Sequence, residues 1–330
     1  PYSAGGGPFW CGFIITASWQ TYVNYGDPRL LERYYPIMQQ WLGYVRAYTV
    51  DGLLKRWPNN NYRNWYLGDW AEPKNSGVNV TDSASINLVD NCFISVCYNT
   101  MSKIAEVLGK QDDKRMYLEK QETLDQLIQK TFYNKDKQSY GTGSQIDITY
   151  PLLAGVTPKE LIPTIKKTLF NETANRFKGH LVTGLVGIPV LAQWATQNNE
   201  ADFIYGMLRQ HSYPGYLYMI DNGGTTTWEH WEGDRSYIHN CYNGIGSWFY
   251  QALGGIVPDE NATGYRHVFI RPQLPKGIQW VKTSKDTPFG KLSVDWNMAN
   301  NKYTLETTIP VGCEATITLP VKTKRVMVNG

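Results

Sequence analysis

The chain has 330 residues, enough for one large domain or two ordinary ones, and a formal net charge of +3 with both signs scattered along it. Without a basic patch we expect no nucleic-acid partner, and without a run of about 18 apolar residues we expect no membrane partner. Aromatic residues make up 14% of the chain and include 12 tryptophans. Because rings of this kind stack on sugar faces, the composition tilts towards carbohydrate, although aromatics fill cores equally readily.

Local spacing gives no sign of metal or cofactor chemistry. The five cysteines and five histidines form no CxxC or HExxH pattern. The sequence also lacks the GxxxxGK[ST] and GxSxG patterns and a GxGxxG after a strand. We therefore expect no cofactor and no metal. The candidates that remain are carboxylates and aromatic residues in loops at helix ends, where rigid helices would position them.

The first three quarters of the chain predict helices. The first helix is predicted over residues 9–25 and ends at Gly26. A second helix is predicted to begin at Asp27-Pro28, because apolar residues follow at helical spacing. A stretch rich in Trp, Asn and Gly over residues 51–77 is too long for a simple connection. Further helices are predicted over 83–108, 112–132, 146–154, 158–170, 180–196, 201–209 and 239–253.

The pattern changes after Gly254-Gly255. The segments HVFIRPQ, KLSVDW, YTLETTI and EATITLP alternate apolar and polar residues as strands do, and Asn300-Asn301 suits a hairpin turn. The helices before this point resemble antiparallel hairpin partners without intervening strands, which disfavours a parallel α/β topology. The sequence predicts a helical domain followed by a β module, with the boundary near residues 256–260.

The segment TTTWEHWEGD, residues 225–234, places two tryptophans and two glutamates within five positions. One interpretation, the commoner for such segments, is a helix start, with Glu229 and the solvated Glu232 on one face of the first turn. The other is a sugar site in which Trp228 and Trp231 desolvate Glu229 and shape a subsite. Glycoside hydrolysis needs two carboxyl groups, about 6.5–9.5 Å apart in inverting enzymes and about 5–5.5 Å apart in retaining ones.

Other candidates are weaker when taken alone. Asp69 in the LGDW motif could cap a turn, although the neighbouring Trp65 and Trp70 favour a sugar site. His239 could cap a helix or bind a sugar hydroxyl. Trp10, which follows GGGP, could equally belong to the core.

Taken in order, these motifs resemble glycoside hydrolase family 78, the inverting α-L-rhamnosidases. The matching segments cover nearly the whole chain and include GGGPFWCGF, WYLGDW, GHLVTGLVGIPVL, TTTWEHWEGDRSYIH and GYRHVFIRP. The resemblance implies a mainly α protein with an (α/α)6 barrel, incomplete at its N-terminus, over residues 1–256. A small C-terminal β-sandwich domain would follow over residues 257–330.

The resemblance also implies a substrate and a set of roles. The substrate would be a rhamnose-containing oligosaccharide, polysaccharide or glycoside, and Glu229 would be the general base that activates water. Trp10, Trp70 and His239 fall on family positions that face the sugar, whereas Asp69 receives no equally firm assignment. The predicted substrate-binding residues are Trp10, Asp69, Trp70, Trp228, Trp231 and His239.

Two departures from the family pattern leave alternatives open. The family's general acid is a glutamate in a motif similar to RERxGWxGDA, which this sequence lacks. Many members have Trp-Gly-Asp-Ala where residues 10–13 read Trp-Cys-Gly-Phe, so one acidic sugar contact is absent. The alternatives are a truncated or degenerate rhamnose-binding module without turnover, or another toroid enzyme with Asp69 or Glu72 as acid. Oligomeric state and compartment stay open, with a periplasmic or secreted location favoured over a cytoplasmic one.

Overall fold

The computed structural model describes residues 7–55, 66–74, 83–320 and 326–328. Within these ranges the chain divides into two compact units. The helical unit consists of the described residues of Pro1–Gln20, Pro28–Trp194 and Phe203–Ile245, and the β unit of those of Thr21–Asp27, Ala195–Asp202 and Gly246–Gly330. The helices are α1 (Pro8–Tyr25), α2 (Arg29–Ala47), α3 (Ser83–Val107), α4 (Gln111–Phe132), α5 (Gln145–Ala154), α6 (Ile162–Asn175), α7 (Gly187–Gln197), α8 (Ala201–Leu208) and α9 (Tyr216–Asp221).

Successive helices of the helical unit differ in how much of their surface they bury. In α3, 17 of 25 residues are buried, and in α5 eight of ten are. By contrast, α4 buries only Tyr117, Leu124 and Ile128, which share one face, and leaves the remainder towards solvent. Since α3 packs on α4 and α5 on α6, largely buried helices pair with amphipathic ones. The predicted mainly helical fold built from antiparallel hairpins is confirmed. No helix in the described ranges has the length and apolarity to cross a membrane.

A buried amide connects three parts of this unit. Gln145, at the start of α5, donates from Nε2 to the Thr173 hydroxyl (3.0 Å) and to the His180 carbonyl (2.9 Å). Its Oε1 accepts the backbone N–H of Val182 at 2.7 Å. Thr173 lies on α6 and Val182 in the segment before α7. Because all these groups are buried, each would lose a hydrogen-bond partner if the amide were removed.

The described residues of the β unit form six strands in two sheets. They are β5 (Ile256–Pro258), β6 (His267–Ile270), β7 (Trp280–Thr287), β8 (Gly290–Ala299), β9 (Lys302–Thr308) and β10 (Glu314–Ile317). One sheet has the order β10-β6-β5, with β10 parallel to β6, and the other is the antiparallel meander β7-β8-β9. Val268 and Ile270 of the first sheet share a buried core with Leu292 and Val294 of the second. The predicted small β-sandwich is confirmed.

Turns account for the short hairpins. Asn300 and Asn301 join β8 to β9 with φ values of 48° and 58°, as the sequence predicted, because Asn tolerates the left-handed region. Two further hairpins belong to the helical unit and were not predicted. They are β1 (Thr49–Val50) with β2 (Leu53–Leu54), and β3 (Tyr133–Asn134) with β4 (Ser139–Tyr140).

Several predicted helix boundaries differ from those in the structure. The helix predicted from residue 180 begins only at Gly187, because backbone N–H groups before it donate to side chains from elsewhere in the chain. The helix predicted over 239–253 is limited to residues 243–253, where a 3₁₀ turn, one α turn and a π turn follow one another. The helix predicted over 158–170 is α6, shifted towards the C-terminus. Helix α9 and strand β7 were not predicted.

Gln145→Ala should lower the free energy of unfolding by about 2–4 kcal/mol, because it leaves buried donors and acceptors without partners. Urea unfolding followed by circular dichroism measures this quantity. The matched control is Gln126→Ala, since Gln126 is exposed on α4 and its loss should change stability by less than about 0.5 kcal/mol. Equal effects of the two substitutions would contradict the role given to Gln145.

Candidate functional site

The segment TTTWEHWEGD lies in a two-armed loop, residues 225–239, which we call the Glu229 loop. Across the arms, the His239 N–H donates to the Thr227 carbonyl at 3.0 Å, and the Glu229 N–H donates to the Ser236 carbonyl at 2.9 Å. No helix forms in these residues, so interpreting this segment as a helix start is wrong. The loop instead places Glu229 and His239 on opposite arms.

The two tryptophans of the Glu229 loop anchor it in the helical unit. Trp231 is fully buried, donates its indole N–H to the Thr183 carbonyl at 2.8 Å and stacks on Tyr242 with centroids 4.1 Å apart. Trp228 is also buried and packs edge-on against Tyr237, with centroids 5.2 Å apart. Both indoles therefore contact protein groups, and neither offers an open ring face. The sugar contact predicted for them stays a prediction.

Asp69 lies in a second irregular segment, residues 66–74, which we call the LGDW loop. Its buried carboxylate accepts three backbone N–H groups at the start of α7, from Gly184 (2.7 Å), Val186 (2.8 Å) and Gly187 (2.9 Å). Burial raises the pKa of Asp69 to about 6, while the three backbone hydrogen bonds oppose this shift. Both carboxylate oxygens are occupied, so in this structure the side chain connects the LGDW loop to α7.

A close approach of two backbones accompanies this connection. The Leu185 N–H donates to the Trp70 carbonyl at 2.8 Å. A Cβ on the neighbouring Gly184 would lie 1.9 Å from that carbonyl oxygen, so only glycine fits there. The backbone of Trp70 is consequently fixed by two contacts. The side chain of the preceding Asp69 bonds to the start of α7, and the Trp70 carbonyl accepts the Leu185 N–H.

The half-buried Trp70 lies beside two histidines of the Glu229 loop. Its ring centroid is 5.5 Å from that of His230 and 6.1 Å from that of His239. Within the described ranges the indole N–H of Trp70 makes no hydrogen bond. The structure thus brings together Trp70 and His239, as the family resemblance implies, and adds His230, which the sequence analysis missed. Its position between Glu229 and Trp231 in the motif was the available signal.

The hydrogen bond made by His239 determines its tautomer. The backbone N–H of Cys241 donates to His239 Nδ1 at 3.0 Å. Because a backbone amide can only donate, Nδ1 is the unprotonated nitrogen and the neutral ring carries its proton on Nε2. His239 is half-buried, and its Nε2–H makes no hydrogen bond to the described part of the chain. This N–H can donate to a ligand.

Glu229 itself is half-buried and held through one oxygen. Its Oε2 accepts the Ser236 N–H at 3.3 Å, and its Oε1 has no hydrogen-bond partner among the residues described. Trp10 is half-buried in the first turn of α1 and packs edge-on against Phe9, which in turn packs at a tilt against Phe93 of α3. Among the described residues, no ring contact joins Trp10 to Trp70. Trp65 lies outside the described residues.

A polar network fastens the LGDW loop to the Glu229 loop. Glu232 Oε1 accepts the Lys74 backbone N–H at 2.6 Å and the Tyr213 hydroxyl. Asp234 binds the Lys74 ammonium through Oδ2 and faces His230 Nδ1 through Oδ1 at 3.0 Å. The Lys74 hydrogen bond is the main reason that the pKa of Asp234 is lowered, and His230 adds to it. Glu232 is therefore a bridging residue rather than a solvated one.

The same residues are an unsuitable metal site. His230, Glu232 and Asp234 present ligand atoms within 4.8 Å of one another. However, Asp234 is ion-paired with Lys74, whose ammonium would repel a cation, and Glu232 already accepts two hydrogen bonds. The two carboxylates of this cluster are thus already engaged in contacts within the protein.

Glu72 is the unusual carboxyl of this region. It is buried, and its Oε1 has no exposed surface and no hydrogen-bond partner among the described residues. Burial, reinforced by the negative charges of Asp69 and Asp147, raises the pKa of Glu72 well above its usual range. Asp147 keeps three short hydrogen bonds, from the Ser85 hydroxyl (2.6 Å) and from the amide and hydroxyl of Thr142 (both 2.7 Å). Glu72 lacks such partners and retains its proton more readily.

Comparison with known proteins identifies the family. A family model described as the bacterial alpha-L-rhamnosidase 6 hairpin glycosidase domain matches residues 2–253, and one described as the bacterial alpha-L-rhamnosidase C-terminal domain matches residues 255–330. The chain belongs to the bacterial α-L-rhamnosidase family. The resemblance to these glycoside hydrolases and the expected six-hairpin architecture are thereby confirmed.

Individual relatives agree with this assignment. A curated alpha-L-rhamnosidase of Alteromonas sp. (strain LOR) is 29% identical over 94% of this chain and 34% of its own length. The structure of alpha-L-rhamnosidase from Dictyoglumus thermophilum aligns with a TM-score of 0.86 at 25% identity, over 97% of this chain and 35% of that one. The alpha-L-rhamnosidase of Streptomyces avermitilis complexed with L-rhamnose aligns with a TM-score of 0.79 at 24% identity, over 92% of this chain and 29% of that one. This chain spans about a third of the length of these relatives.

Glu72→Gln should raise the free energy of unfolding at neutral pH and have no effect near pH 4. The pKa of Glu72 is raised in the folded protein. The protonated side chain therefore makes its full contribution to the free energy of unfolding below the pKa of the unfolded state. This contribution is lost as the pH rises towards the pKa of the folded state. Glutamine keeps the neutral shape without titrating. Urea unfolding across this pH range tests the difference, with Glu122→Gln on the exposed face of α4 as control. A stabilisation that is independent of pH would contradict this assignment.

Proposed function

We propose that this chain is the base-carrying catalytic part of an α-L-rhamnosidase that removes terminal α-L-rhamnose from oligosaccharides, polysaccharides or glycosides with inversion. The observation that carries the proposal is the carboxylate of Glu229. One of its oxygens is held by the Ser236 N–H, and the other has no hydrogen-bond partner among the described residues. The carboxylate lies on a loop whose two histidines are in ring contact with Trp70. Membership of the α-L-rhamnosidase family supports the choice of sugar.

In this mechanism Glu229 acts on water. A water molecule donates a hydrogen bond to Glu229 Oε1, and the carboxylate removes its proton as the water oxygen bonds to the anomeric carbon. The bond from that carbon to the glycosidic oxygen breaks on the opposite face, and a carboxylic acid returns a proton to the departing oxygen. The products are L-rhamnose with inverted anomeric configuration and a free alcohol.

The sugar would be held by the groups around Glu229. The Trp70 ring supplies an apolar face for the sugar C–H groups, and His239 Nε2–H donates to a hydroxyl. We place Trp10 in the same pocket on the family resemblance. Asp69, Trp228 and Trp231 then act as positioning residues, since their described contacts are with protein groups.

The proton donor is assigned separately from the base. Burial raises the pKa of Glu72 well above its usual range, but its Oε1 is covered. A general acid must reach the glycosidic oxygen. The proposal therefore gives this chain the base and the rhamnose pocket, and an assay of the chain alone determines whether it also provides the acid.

Glu229→Gln should leave L-rhamnose affinity within about threefold of the wild type and should lower turnover of 4-nitrophenyl α-L-rhamnoside by about 10²–10⁴-fold. Calorimetry measures the affinity, release of nitrophenolate measures the rate, and proton NMR of the first-formed anomer reports inversion. Glu122→Gln is the control.

The outcomes of this assay differ in meaning. Turnover that survives in Glu229→Gln contradicts the assignment of the base. Rhamnose binding without turnover by the wild type supports the pocket and corresponds to a binding module when the chain acts alone. Absence of both binding and turnover contradicts the proposed function.

Trp70→Ala should weaken L-rhamnose binding roughly 5- to 10-fold, because the stacking surface is lost. Trp70→Phe keeps a ring at the same position and should retain most of the affinity. Calorimetry of the two variants beside the wild type provides the comparison. Unchanged affinity in Trp70→Ala would assign Trp70 to the protein core.

A further inference from the structure

His230 occupies a position that the proposed mechanism leaves without a role. Its ring lies against Trp70 with centroids 5.5 Å apart, on the same loop as Glu229 and His239. The side chain is 16% exposed, so it reaches solvent without projecting into it. One edge of the ring faces Asp234, which is itself held by Lys74. The ring is thus fixed by its Nδ1 edge, while its Nε2 makes no hydrogen bond to the described residues.

The contact with Asp234 determines which nitrogen carries the proton. His230 Nδ1 lies 3.0 Å from Asp234 Oδ1. A carboxylate can only accept, so Nδ1 carries the proton and donates, and in the neutral ring Nε2 has a free lone pair. Among the described residues nothing donates to this nitrogen. His230 therefore offers a hydrogen-bond acceptor.

His239 has the opposite polarity. Its Nδ1 accepts from the Cys241 N–H, so its Nε2 carries the proton and donates. The ring with the donor nitrogen and the ring with the acceptor nitrogen consequently both contact the same indole, with centroid distances of 6.1 Å and 5.5 Å. A sugar hydroxyl both donates and accepts, and a pair of hydroxyls on neighbouring carbons can use one contact of each kind.

We propose that His230 is a sugar-contacting residue of this site, whose Nε2 accepts a hydrogen bond from a hydroxyl while His239 Nε2–H donates to its neighbour. Trp70 packs beneath the sugar ring between them, and Asp234 and Lys74 are positioning residues that hold His230 in its acceptor tautomer. The site thereby selects a pair of adjacent hydroxyls. This inference rests on the proposed function, because it takes the ligand to be the terminal rhamnose.

Two substitutions of His230 separate sugar contact from loop anchoring. In His230→Asn the amide nitrogen takes the place of Nδ1 and can still bind Asp234, but nothing occupies the position of Nε2. In His230→Gln the amide reaches the position of Nε2 and gives up the bond to Asp234. A sugar contact requires Gln to preserve affinity better than Asn, whereas a purely structural role requires the reverse order.

The experiment is calorimetry of the whole chain with L-rhamnose. We expect the Kd to rise about 3- to 10-fold in His230→Asn, the size of one lost neutral hydrogen bond, and to stay within about threefold in His230→Gln. The matched control is His211→Asn. His211 also pairs with a carboxylate, Asp221, at 2.6 Å, but its side chain is 68% exposed and it has no part in this site. Its substitution should leave the Kd unchanged.

Nitrogen NMR of the wild type gives an independent readout. We expect the Nδ1-protonated form for His230 and the Nε2-protonated form for His239, with the His230 Nε2 resonance shifting when sugar is added. The reverse affinity order, or an unshifted His230 Nε2 resonance in the bound state, would overturn the proposal.

A panel of L-rhamnose, D-mannose and D-galactose distinguishes this inference from the proposed function. Binding of L-rhamnose that is equal in wild type and His230→Asn overturns the His230 contact and leaves the rhamnose pocket standing. Preference for another sugar of the panel, with the loss in His230→Asn retained, overturns the choice of rhamnose and supports the His230 contact. A wild type that binds none of the three overturns both.

Discussion

The site depends on one buried carboxylate. Asp69 accepts three backbone N–H groups from residues 184–187 and thereby connects two segments more than 100 positions apart in the chain. An isolated carboxylate would be costly to bury, but three donors at the start of α7 replace its hydration, and the positive end of the helix dipole assists. Hydrogen bonds to charged groups contribute about 1.5–3 kcal/mol each. Because Trp70 follows Asp69 directly, these bonds also determine where the indole lies.

A second set of contacts orders the groups that we propose to face the sugar. The LGDW loop is joined to the Glu229 loop by contacts among Glu232, Asp234, Lys74 and Tyr213. These contacts matter because neither loop has regular secondary structure to hold it. The buried ring of Trp231 also anchors the Glu229 loop, through its hydrogen bond to the Thr183 carbonyl. The anchoring residues thus use their polar groups in contacts within the protein, whereas Glu229 and Trp70 each keep a polar atom without a hydrogen-bond partner among the described residues. Because the anchoring contacts hold both loops, segments without regular secondary structure can present a defined arrangement of donors and acceptors.

Local sequence patterns accounted for most of the fold. Helices α1 to α5 and α8 were predicted within a few residues because apolar spacing and turn residues act within one element. The errors arose where no local pattern marks the structure. Residues 180–186 were predicted to be helical, but their N–H groups donate to Gln145 and Asp69, which are distant in sequence. Strand β7 was missed because both of its faces carry polar residues and no apolar alternation marks it.

By itself, the sequence determined the family, the helical and β parts, and the set of motif residues from which Glu229, Trp70 and His239 were chosen. These features depend on residue identity and order, which can be read directly from the sequence. Tertiary structure decided that Trp228 and Trp231 are buried, that Asp69 is an anchor and that His230 joins the site. It also decided the tautomers of His230 and His239, because the proton position depends on whether a carboxylate or a backbone N–H faces Nδ1. No local pattern contains that information, since the partners meet only when the two loops are folded together.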